Sequence, residues 1–98
     1  MIYVLDILDD AADDIQAIID YYEFIRLSLA RDFELRLQES FDLILYNPEI
    51  YAVGYRRVRR YKITRFPFVV YYRIASNSVE IVAVVHAKRS SRIWKSRL

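Results

Sequence analysis

The hydrophobic period of this chain changes once, at Asn47-Pro48, and that change limits what it can fold into. Before it, Ala11, Ile15, Ile18, Ile19, Tyr22 and Ile25 recur at spacings of three and four residues, and Ala30, Phe33, Leu37, Phe41, Ile44 and Leu45 repeat the pattern. Each set lines one side of an α-helix, so each helix has one face to bury. After it come three short runs rich in β-branched and aromatic residues: 58–64, FVVYYRI at 68–74 and VEIVAVV at 79–85. These read as consecutive strands. A further strand is expected over IYVLDI at 2–7. The order β-α-α-β-β-β predicts an α+β domain, with an antiparallel helical hairpin packed on a mainly antiparallel, twisted sheet.

Local signals set the boundaries. Asp9 or Asp10 is expected to cap the first helix, and Ser28 the second. Pro48 lacks an N–H and disfavours helix at Asn47, so the second helix stops there. A connection at 50–55 contains Gly54, the only glycine. Phe66-Pro67 separates the first two strands of the second half, and Ser76-Asn77-Ser78 is a turn in which Asn77 can take the left-handed conformation. The unbroken apolar content of VEIVAVV predicts a central strand. Residues 87–98 are expected to form a basic tail with a short helical turn from Ser90 onwards.

The 98 residues are expected to form one domain, spanning 1–98. Without cysteine, disulfides and thiolate metal sites are excluded. One histidine and helix-borne carboxylates offer no ligand cluster, so neither a metal nor a cofactor is expected. No apolar run reaches the ~18–20 residues of a membrane span, and the acidic N-terminus is unlike a signal peptide. The reading is therefore a cytoplasmic protein with no membrane partner.

Charge is distributed unevenly. Residues 1–50 carry 12 acidic and 3 basic side chains (−9), residues 51–98 carry 1 and 12 (+11), and together they give the net charge of +2. One acidic and one basic surface are expected, the basic one suited to a polyanion or an acidic partner. Mutual attraction of the two halves is the plainer alternative.

The helix segment AADDIQAIIDYY, the NPEIY after helix two, the strand RFPFVVYYRI and the ending VVHAKRSSRIW, taken in order, resemble the RelE/ParE superfamily of bacterial toxins. The resemblance covers nearly the whole chain. It implies the toxin of a type II toxin–antitoxin module, of the kind called plasmid stabilisation proteins, bound by a cognate antitoxin. It also implies one of two targets. RelE-like members cut mRNA on the ribosome, and ParE-like members inhibit DNA gyrase without nuclease chemistry. A degenerate module that binds antitoxin without toxicity is a third reading.

RNA cleavage by 2′-OH attack needs a base, cations on the phosphate and an acid for the leaving oxygen. If the chain is RelE-like, the resemblance assigns these roles to His86, Arg89, Arg73 and Arg60. Expected contacts to a nucleic acid or other target are Arg59, Arg60, Lys62, Arg65, Lys88, Arg92 and Trp94. Strand alternation puts Arg60 and Lys62 on one face, with Tyr61 and Ile63 on the core side. An imidazole can exchange a proton near neutrality, but a histidine ending a strand can equally bond a backbone carbonyl. The tyrosine that RelE-like catalysis uses near the C-terminus has no match; Trp94 occupies that neighbourhood, and indole is neither acid nor base. That departure tilts the reading toward gyrase. Asp13, Asp14, Asp20 and Glu23 read as the wet face of helix one.

Overall fold

The computed structural model describes residues 2–98. Strand β1 (Val4–Ile7) leads into helices α1 (Asp9–Ile25) and α2 (Leu27–Tyr46), then β2 (Arg59–Lys62), β3 (Phe68–Ala75), β4 (Ser78–His86) and a short helix α3 (Arg92–Lys95). The sheet order is β1-β4-β3-β2, with β1 parallel to β4 and the other pairs antiparallel. The sheet is thus mixed, and β4 is an interior strand, as its apolar run requires.

The helical face of the sheet carries the larger core. Ala11, Ile18, Tyr22, Ala30, Phe33, Leu37, Phe41 and Ile44 from the hairpin meet Val70, Tyr72, Val79, Ile81 and Val84 from the sheet. Phe33 and Tyr22 pack edge-on against Phe66 and Phe68, with ring centroids 5.4–6.2 Å apart. Such aromatic pairs add to the area they bury.

The hairpin turns on a single residue. Arg26 is extended (φ −171°, ψ 131°), and its N–H still donates to the Tyr22 carbonyl while its own carbonyl starts α2. Neither expected cap forms. Leu8 precedes α1 with no side-chain cap, so Asp9 and Asp10 lie in the first turn, where they complement the helix dipole. Ser28 lies inside α2, and its Oγ accepts from Arg26 Nε at 2.9 Å. At the β3–β4 turn the left-handed residue is Ser76 (φ 58°), not Asn77.

Two features change the picture of the second half. First, β4 contains a bulge: Tyr71 pairs with Ala83 and Tyr72 with Ile81, leaving Val82 as an extra residue. Side chains alternate along a strand, so one inserted residue swaps the faces of everything beyond it. Val79, Ile81 and Val84 face the helices, whereas Val82, Ala83 and Val85 face the other way. Second, the tail folds back. Trp94 on α3 packs with Val58, Val82, Ala83 and Val85 as a smaller core on the second face.

The tail is locked by Arg97. Its guanidinium donates to both Asp14 oxygens (2.6 and 2.9 Å) and to the Val82 carbonyl (3.1 Å). Asp14 Oδ2 also accepts the Val84 N–H at 3.0 Å. Strand β1 has ended at Ile7, opposite Ile81, so β4 lacks a strand partner on that edge from Val82 onward. Two side chains therefore supply the donor and acceptor that a strand would have supplied. Asp14 is accordingly not part of the wet face of α1. Among the described residues, ion pairs between the acidic and basic halves all involve Arg97, so pairing consumes little of the asymmetry.

Candidate functional site

The second face of the sheet carries a groove of about 270 Å³ between the 52–58 connection, β2, β3 and α3. Tyr71 stacks on Trp94 with centroids 4.7 Å apart and planes 20° from parallel. Tyr55 meets Trp94 edge-on at 6.3 Å. Cations lie against these rings: Arg60 is 6.0 Å from Tyr71, Lys95 is 4.8 Å from Tyr55 and 5.6 Å from Trp94, and Arg56 is 5.4 Å from Tyr55. Cation–π attraction holds them there without an anionic partner.

Backbone strain marks the groove's rim. Arg56 (φ 50°) and Arg57 (φ 65°) are consecutive left-handed residues, central in a turn closed by Val58 N–H to Tyr55 O at 3.0 Å. Such turns favour glycine, asparagine or aspartate, and each arginine there costs about 1–2 kcal/mol.

The expected target contacts separate into several groups. Arg60 and Trp94 share the groove. Arg59 points to the helical side, and its Nη1 donates to the carbonyls of Glu49 and Tyr51 at 2.8 Å each, so it anchors the α2–β2 connection. Lys62 starts on the Arg60 face, but Nζ turns back onto the carbonyls of Ile63 and Phe66 and closes the β2–β3 turn. Arg65 is exposed and left-handed in that turn (φ 69°), beside Asp32 and Arg36 of α2. Lys88, Arg89 and Arg92 are exposed around the turn into α3.

The four groups assigned to cleavage chemistry do not converge. Arg73 Nε is bound to Glu80 at 2.6 Å, near the β3–β4 turn. The bulge turns His86 to the helical side, where its ring lies 5.6 Å from Phe68. Its Nδ1 accepts the Lys88 N–H at 3.0 Å, whereas the structural role expected for it was a bond to a carbonyl. Arg60 is on the opposite face, and Arg89 is exposed beyond the strand. The segments around Arg60 and Trp94 do meet, but around the indole and not around the histidine. No cluster of three or more potential metal ligands occurs among the described residues.

Sequence reasoning missed Tyr55, Tyr71 and Lys95 as groove residues. Alternation places Tyr71 opposite buried Tyr72, which was the available signal. Tyr72 itself is structural: its hydroxyl donates to the Pro48 carbonyl at 2.6 Å, and burial pushes its phenol up to about 12.

The architecture defines a class, small α+β domains with a helical hairpin packed on a mixed four-stranded sheet. A solved structure described as the chromosomal ParDE TA system from P. aeruginosa shares the fold, with a TM-score of 0.76 at 20% identity over 87% of this chain and 96% of that one. Residues 5–91 match the family described as "ParE toxin of type II toxin-antitoxin system, parDE", and the chain belongs to that family. No curated protein matches.

Proposed function

We propose that the protein is the toxin of a type II module, that it inhibits growth by binding DNA gyrase without covalent chemistry, and that a cognate antitoxin neutralises it. Family membership supports the toxin role. The observation that carries the non-enzymatic reading is the separation of Arg60 and His86 onto opposite faces of the sheet. A general base must lie within hydrogen-bond reach of the proton it moves, beside the cations that hold the phosphate. Trp94 stands where a tail tyrosine would be needed, and it is buried against Tyr71.

The antitoxin has an apolar surface to cover. Phe24 (90% exposed), Tyr46 (88%), Tyr21 and Leu43 stand out from the hairpin. An amphipathic segment laid on them would hide side chains that are costly to leave in water.

Inducing the protein without antitoxin tests the reading. Gyrase supercoiling and mRNA 5′ ends are measured in parallel. Lost supercoiling with intact mRNA is expected. Codon-phased mRNA cuts would replace the gyrase reading with a ribosomal one, and normal growth would support a module that binds antitoxin without toxicity.

A further inference from the structure

Three observations on the Trp94 groove point to a ligand. Among the described residues no carboxylate lines it and none of Arg60, Lys95 and Arg56 is in an ion pair, so positive charge is held against aromatic rings uncompensated. Trp94 is only 7% exposed, yet its Nε1–H has no acceptor among the described residues. Buried donors are nearly always satisfied, so this residue of the groove lining carries a donor that lacks its usual hydrogen bond. The third is the pair of left-handed arginines at the rim, since strain of this kind gathers at binding loops.

We propose that this groove binds one nucleotide unit of a single-stranded nucleic acid. A base stacks against Tyr55 and the Tyr71–Trp94 wall, and a phosphate lies between Arg60 and Lys95. The groove supplies π faces and cations, which complement a base and a phosphate and tolerate any sequence. An acidic peptide would neutralise the cations but would bring backbone donors and acceptors. Ser91 is the only uncharged polar side chain besides the two tyrosines and the indole in the lining to meet them. The proposal does not depend on the toxin's target.

Trp94 is the only tryptophan, so its fluorescence reports from inside the site. The full chain is titrated with eight-residue oligo-dT and oligo-U, and separately with inorganic polyphosphate and a poly-glutamate peptide. Oligonucleotides should quench Trp94 saturably, and DNA and RNA arms distinguish the two sources. With one phosphate held between the two cations, raising salt from about 50 to 200 mM should weaken binding about 2.6-fold. Tyr55→Ala should weaken it about tenfold by removing one stacking face, and Arg60→Gln with Lys95→Gln should abolish the salt dependence. These side chains are exposed, and circular dichroism checks that each variant folds. Polyphosphate should bind without quenching. No quenching by either oligonucleotide, or equal affinity in the doubly substituted variant, overturns the proposal. Tighter binding of poly-glutamate with the same quench also overturns it, in favour of peptide docking. Supercoiling inhibition measured on the same variants separates this failure from failure of the gyrase reading.

Discussion

Replacing Arg97 with glutamine should destabilise the whole domain, although the residue lies in a tail that composition alone would leave in solvent. The substitution removes two charge-assisted hydrogen bonds to Asp14, at 2.6 and 2.9 Å, and one to the Val82 carbonyl at 3.1 Å. Breaking a fully buried pair costs about 3–5 kcal/mol. Here the side chains are 18% and 16% exposed, so water partly resolvates Asp14, and about 2–3 kcal/mol is expected. That is a large share of the ~5–15 kcal/mol that holds a domain folded. Asp14→Ala should cost about 1–3 kcal/mol more, because the Val84 N–H then loses its acceptor too. Urea unfolding followed by Trp94 fluorescence and circular dichroism measures both, and the Arg97→Gln midpoint should fall by roughly 1–2 M. The double variant should reveal a coupling of at least about 1 kcal/mol. Amide exchange at Val84 should accelerate more in Asp14→Ala than in Arg97→Gln. A loss below about 0.5 kcal/mol for Arg97→Gln, or strict additivity, would refute the idea that this pair closes the edge of β4.

Tyr72 gives a pH test with a definite sign. Burial raises its phenol from 10.0 to about 12, so the folded state favours the neutral form. Its contribution should be intact below about pH 10 and lost as pH climbs toward 12. Tyr72→Phe should cost about 1–3 kcal/mol at neutral pH, since the Pro48 carbonyl loses its donor, and should make the alkaline decline of the urea midpoint shallower. The decline should not vanish, because burial also raises Tyr22 and Tyr61. Trp94→Ala should cost about 3–5 kcal/mol by calorimetry. Trp94→Phe should cost much less, because it keeps a ring on Tyr71 and discards an N–H with no acceptor; equal losses would show that the indole edge matters in the free protein. Arg57→Gly should raise stability by about 0.5–1 kcal/mol, strain relief exceeding the entropy of glycine in the unfolded chain. An unchanged or lower midpoint would show that the left-handed arginine is not strained.

The helical half was legible because its information is local. Amphipathic spacing fixes which side of α1 and α2 is buried, and a proline fixes where α2 stops. Asp14 escaped that logic because its partners, Val84 and Arg97, are 70 and 83 residues away, and a carboxylate on an acidic helix looks solvated until they are placed. The site was harder to read for a topological reason. Counting alternation from Val79 puts Ile81, Ala83 and Val85 on one face and leaves His86 on the face of Arg60, where proton chemistry could be imagined. The extra residue Val82 reverses that parity and sends His86 to Phe68. One physical demand could still have been read. A strand as apolar as VEIVAVV needs both faces covered, and the helical hairpin can cover only one. The apolar residues left downstream are Ala87, Ile93, Trp94 and Leu98, and the last three are the ones that pack on the second face. Read that way, the basic tail is first a lid for β4. Its cations stand beside the groove because Trp94 must be buried and Lys95 is its neighbour on a single turn of helix. Positive charge in this region is therefore tied to the fold, so the Arg60 and Lys95 variants test binding only when the Trp94 stack is shown to persist.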